Sequence, residues 1–334
     1  MYRANRPQGA PDGDPDPRYV LLITTEARHE IDSAAAGVLA LLCASWGLSQ
    51  VAVKIAGEGI SPAMQAGLRS IGSAVLLVLW ARGRGVPLVE RDRTLLPGIA
   101  AGLLFAGEFL LVFTGLTFTT ASRGVIFLYT APFVTAIGAH LFVPGDRLTR
   151  GRSAGLVIAF AGIVIAFADA LRLPTRVELV GDLLCLGGAV AWGATTVLIK
   201  ASRLRQASAV RTLFYQLGTS AVVLPVFALA TGESGITRAT PLIIGALAYQ
   251  IIVVAFASYA VWFWLVTRYP ASRLAAFTFL TPIFGVAAGG IVLGEPIGPG
   301  MVIALALIAG GIYLVNRPSR PVRESTVAGG RMQE

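Results

Sequence analysis

The chain has 334 residues, of which 55% are hydrophobic and only 13% charged. Soluble domains carry about 25% charged residues, so the polar surface needed by a water-soluble globule is missing. The formal charge of +9 would suggest nucleic acid in a soluble protein; here it is read as the basic loops of a multi-pass membrane protein, and no nucleic-acid partner is expected.

Residues 1–33 are rich in Pro, Asp and Arg, and their longest apolar run, "YVLLI", is too short for a signal-peptide core. A disordered cytoplasmic tail is expected there and again at 317–334. Between the tails, apolar segments lie near 34–53, 63–81, 95–117, 122–142 and 153–171. Five more follow near 179–199, 210–230, 241–266, 273–293 and 298–316. Each is long enough for a helix to cross roughly 30 Å of hydrocarbon. A span in lipid must satisfy its own backbone, and the alternation expected of a β-barrel is weak. The expected fold is therefore all-α and integral to the membrane, with ten transmembrane helices. Cys43 and Cys185 both fall in apolar segments and form no disulfide framework.

The loops set an orientation. With the N-terminus inside, the inner segments hold 21 Lys and Arg and the outer ones hold 5, with Arg69 inside the second span. The positive-inside rule then places both termini in the cytoplasm, with the cytoplasmic membrane as the expected location.

The chain also repeats itself. "ASRGVIFLYTAP" (Ala121 to Pro132) returns as "ASRLAAFTFLTP" (Ala271 to Pro282), an offset of 150. "WGLSQVAVK" (Trp46 to Lys54) returns as "WGATTVLIK" (Trp192 to Lys200) at an offset of 146. "GDRLTRG" from Gly145 and "GEPIGPG" from Gly294 differ by 149, as do Gly162 and Gly311. These pairs divide the chain into halves, 34–171 and 179–316, of five helices each. Five is odd, so the second half enters the membrane inverted, and inverted repeats carry a midplane site between them in secondary transporters. Pro132 and Pro282 stand at matching places near mid-span, where a proline kinks a helix; they are the candidate gating kinks.

The "WG…K" helix, Arg69, the doubled "ASR…P", the "GD/GE" pair and the late "AGGIYLV" helix together resemble the EamA-type family of the drug/metabolite transporter superfamily. The resemblance spans both halves. It implies ten helices, alternating access, and transport of small metabolites such as amino acids, their analogues or drugs, often coupled to protons. It also implies a central cavity built by the first four helices of each half, with the fifth and tenth outside.

Ionisable groups at membrane depth are functional candidates by default. Glu108 stands near the middle of the third span, and its match at the 150 offset is Ser258, not a second carboxylate. Arg69 lies about two turns inside the second span, close enough in depth to reach Glu108 as a structural pair. Further substrate or coupling candidates are Trp46, Gln50, Tyr129, Trp192, Thr196, Gln216 and Tyr259, with Trp262 nearby. No metal spacing, nucleophile elbow, phosphate loop or paired catalytic carboxylates appear, so no enzyme, cofactor or metal is expected. The alternatives to a transporter are a membrane-embedded scaffold or regulatory subunit, or a lipid-modifying enzyme. The enzyme would need clustered acid, base or metal groups, and Glu108 is nearly alone.

Overall fold

The computed structural model describes residues 30–90, 92–168, 173–294 and 300–317. Both expected tails fall almost wholly outside them, as does Glu295 of the second "GD/GE" pair. The described residues form helices α1 (Ser33–Gly57), α2 (Pro62–Gly83), α3 (Leu95–Leu116), α4 (Ala121–Leu128), α5 (Ala131–Phe142), α6 (Arg150–Ala166) and α7 (Arg176–Ala201). Then come α8 (Ala209–Ala230), α9 (Pro241–Tyr249), a π-helical turn series (Gln250–Ser258), α10 (Tyr259–Arg268), α11 (Ala271–Phe277), α12 (Leu280–Leu293) and α13 (Gly300–Asn316). Of these, α4 with α5, α9 through α10, and α11 with α12 each make one span.

Eight helical segments among the described residues are long and apolar enough to cross a membrane. The spans expected at 153–171 and 298–316 are shorter: α6 and α13 have 17 residues each, about 25 Å at 1.5 Å per residue. These two pack against each other with their backbones almost touching. A Cβ on Gly155 would lie 2.6 Å from the Gly311 carbonyl oxygen, and one on Gly311 would lie 2.5 Å from that of Gly155. Only small residues permit this approach, the usual way apolar helices associate in lipid.

The remaining helices pair in a reciprocal pattern. α1 packs on α12 and α5 on α7; α2 packs on α8; α3 packs on both α7 and α8. Several helix starts are capped by side chains. Asp32 accepts a hydrogen bond from the Ala35 N–H at 2.8 Å, and α7 opens on a full capping box between Thr175 and Glu178. α12 ends on Gly294, whose φ of +69° is left-handed and favours glycine over any residue with a Cβ.

The two matched prolines do not kink continuous helices. Each stands in the first turn of a new helix. α4 stops at Leu128 and α5 begins at Ala131, one residue before Pro132. α11 stops at Phe277 and α12 begins at Leu280, two residues before Pro282. Proline has no N–H for the carbonyl four residues back and its ring crowds that carbonyl. Those carbonyls belong to Leu128 and Thr278, where the helices break. A third proline, Pro225, sits inside α8 with its ring against Gly67 of α2.

Candidate functional site

Trp46 on α1 is the hub of an aromatic group. Its indole N–H donates to the Ser258 hydroxyl at 2.8 Å, and Ser258 donates onward to the Val254 carbonyl at 2.5 Å. The Trp46 ring meets Tyr259 edge-on at 6.2 Å and Trp262 at 5.3 Å. Tyr259 in turn meets Phe105 at 5.8 Å, and Phe105 meets Phe109 at 5.1 Å. These T-shaped contacts hold the rings rigid. They line up because Phe105 and Phe109 are four residues apart on one face of α3, as are Ser258 and Trp262 across the start of α10.

Arg69 stands at the end of this chain of rings. Its guanidinium lies 4.2 Å from the Phe109 ring centroid; the residue is 4% exposed, and its Nε and Nη2 have no hydrogen-bond partner among the described residues. Glu108, the neighbour of Phe109, is partly buried and lies within electrostatic reach of Arg69, Tyr129 and Tyr259. The pairing that depth alone allowed is not made. No Arg69–Glu108 ion pair within 4.0 Å is formed; Arg69 stacks on Phe109 instead. A carboxylate and a guanidinium therefore lie within electrostatic reach of each other, the guanidinium stacked on Phe109, with no direct bond between them.

Tyr129 and Trp192 form a second edge-on pair at 5.8 Å. Trp192, Thr196, Pro132, Thr135, Trp262 and Thr278 line a small cavity with about 10 Å³ for a water centre, roughly one water. Trp262 belongs to both groups and joins them. Pro282 does not line this cavity, so only one of the matched prolines faces it. Thr196 donates weakly back to the Trp192 carbonyl at 3.4 Å.

Two candidates stand apart. Gln50 is exposed and packs beside Gly285 of α12. Gln216 is fully buried on α8 and bonds to the Thr212 carbonyl of its own helix at 3.4 Å.

Sequence reasoning missed a polar tie around the π-helical segment. Gln65 donates to the Gln250 side chain at 3.2 Å, Gln250 donates to the Ala52 carbonyl at 3.3 Å, and Ser73 donates to the Ile251 carbonyl at 3.0 Å. A wide turn leaves carbonyls that side chains from neighbouring helices can claim. The amides at 65 and 250, isolated in apolar runs, were the available signal. Phe105 and Phe109 were missed as well; their spacing around Glu108 carried them.

The EamA-like transporter family matches the chain twice, over residues 34–168 and 179–317. The chain is 28% identical over 291 residues to the "Uncharacterized transporter YvbV" of Bacillus subtilis, covering 87% of this chain and 94% of that protein. It is 28% identical over 306 residues to a "Probable amino-acid metabolite efflux pump" of Salmonella typhimurium, covering 88% and 98%. A protein of that same description from Escherichia coli is 26% identical over 291 residues, covering 83% and 93%. A solved crystal structure superposes with a TM-score of 0.72 at 20% identity, covering 85% of this chain and 98% of the other, which speaks to the fold alone.

Proposed function

The chain belongs to the EamA-like transporter family and is a multi-pass membrane transporter, not an enzyme; from that premise we propose a secondary active transporter that works by alternating access. Its solutes are small organic metabolites of the amino-acid kind, moved across the cytoplasmic membrane. The names of the Salmonella and Escherichia relatives support efflux as the direction.

One observation carries the reading of the site. Arg69 brings buried donors and Glu108 brings a carboxylate, both without hydrogen-bond partners among the described residues, within electrostatic reach of each other beside the aromatic group. A buried charged group without a partner is costly, so opposite charges left apart suit a solute that carries both signs. Arg69 takes its carboxylate, Glu108 takes its ammonium or a proton in exchange, and the Trp46, Tyr259 and Phe109 rings take its apolar body.

The matched motifs and the reciprocal helix pairing support two inverted five-helix halves, 34–171 and 179–316, with ten spans in all. The short helices α6 and α13 stand as the fifth and tenth, and both termini lie in the cytoplasm. The doubled breaks before Pro132 and Pro282 are the flexible points through which each half bends.

The test is flux in proteoliposomes loaded with single amino acids. Saturable, pH-gradient-dependent efflux that fails in Glu108→Gln and Arg69→Gln supports the reading. Transport that is indifferent to both substitutions in well-folded protein refutes the site.

A further inference from the structure

Arg123 and Arg273 hold the same place in the repeated "ASR…P" motif, but their surroundings differ. Arg123 is buried and bonded to Asp182: its Nε lies 3.1 Å from Oδ1, and Nη2 meets Oδ2. Asp182 also accepts from the Thr119 hydroxyl at 2.8 Å. At the 146-residue offset of the Trp-Gly motif, the residue matching Asp182 is Ala36. The second arginine thus keeps the burial and lacks the carboxylate.

Arg273 is 3% exposed, and its Nε and Nη1 have no hydrogen-bond partner among the described residues. Among the described residues, Arg152, Glu30 and Asp146 are the charged groups within its electrostatic reach. Asp146 is already engaged. It accepts from the Ser272 N–H at 3.1 Å, from the Ser272 hydroxyl, and from Arg152 Nη1 at 3.4 Å. Arg152 Nη1 also donates to the Arg147 carbonyl at 2.6 Å, while its Nε is buried with no hydrogen-bond partner among the described residues. Two guanidiniums of like charge therefore present three buried nitrogens that no acceptor among the described residues serves.

Buried donors are almost always paired, and a charged one left alone is costly. We propose that Arg273 and Arg152 form an anion site for a phosphate-type oxyanion, between the start of α11 and the start of α6, apart from the aromatic site. Three nitrogens on two separate guanidinium planes call for an acceptor with several oxygens, which suits a tetrahedral oxyanion better than a halide. Inorganic phosphate and a lipid phosphodiester headgroup share that chemistry.

The full chain, purified in a phosphate-free maltoside detergent, tests this by thermal unfolding. One arm titrates inorganic phosphate against chloride at equal ionic strength; the other adds phosphatidylglycerol without phosphate. In at least one arm the parent protein is expected to gain about 4 °C or more in Tm. Arg273→Gln and Arg152→Gln are expected to lose that gain. Without any anion, Arg273→Gln is expected to melt no lower than the parent, since an unpaired buried charge has been removed. A shift with phosphate identifies a free anion, and one with phosphatidylglycerol alone identifies a headgroup; both support the site. No shift in either arm, or the same shift in parent and variants, overturns it. Should Arg273→Gln fail to fold, Arg152→Gln, whose side chain is 11% exposed, decides the question alone.

Discussion

Glu108 and Asp92 are both carboxylates near an arginine, yet their surroundings ask different things of them. Glu108 keeps a carboxylate that nothing among the described residues bonds, within electrostatic reach of a guanidinium stacked on a ring. Glu108→Gln preserves its shape and removes its charge. The expected result is normal membrane insertion with flux that no longer follows the pH gradient, read from protein level and uptake together; unchanged pH-dependent flux would sink its role. Asp92 lies outside the spans and is fully engaged. The Thr94 hydroxyl donates to it at 2.6 Å and Arg211 binds its other oxygen, so these bonds, the Thr94 one foremost, hold its carboxyl below the usual aspartate value. A depressed folded value means the bonded carboxylate contributes stability above the unfolded value, about pH 3.9, and loses it as the pH falls through the folded one. Asp92→Asn is therefore expected to melt below the parent at neutral pH, with the gap closing in acid. A gap that stays constant down to pH values below both would contradict this account.

At the level of elements, the interrupted spans are the most informative feature. Pro132 and Pro282 each follow a break, and alanine at either place restores the missing N–H for the Leu128 or Thr278 carbonyl. Pro132→Ala and Pro282→Ala are each expected to join the two half-helices, insert normally and slow transport several-fold, measured as initial flux per unit of protein. Native rates in both would leave the breaks without a role in gating. The α6–α13 pair is a different kind of element, held by close approach. Gly311→Leu would drive a side chain into the Gly155 carbonyl and Ala159, and overpacking of this sort costs about 1–3 kcal/mol. A lowered melting temperature with the monodisperse fraction reduced on size exclusion is the expected outcome; a parent-like profile would mean the pair is not so tightly packed.

For the whole molecule, orientation is the property still to be measured. The loop at 82–94 and that at 200–211 are expected inside and the turn at Ser234 outside. Arg84, Arg205 and Ser234 are all exposed, and both native cysteines are buried, so single cysteines at these three places can be read with little background. An impermeant thiol reagent on intact cells should label Ser234→Cys and spare Arg84→Cys and Arg205→Cys. Labelling at Arg84→Cys from outside would reverse the assigned orientation.

Hydropathy sufficed for the membrane class and the helical fold, because lipid forces each span to bury its own backbone and leaves that demand written as apolar length; the family came from the resemblance of the doubled motifs. The matched prolines were legible as kinks near mid-span, but that each opens a new helix after a break was seen only in the structure. The contacts between distant helices were not. Whether Arg69 reaches Glu108 or stacks on Phe109 depends on helix rotation, which depth along a span does not specify. That Arg123 bonds Asp182 while Arg273 bonds no carboxylate among the described residues likewise needed the packed structure, because both arginines sit in the same "ASR" start of a repeated motif. Sequence determined which charges enter the membrane; only the tertiary arrangement decided which of them are answered, since a hydrogen bond depends on distances that one-dimensional spacing does not contain.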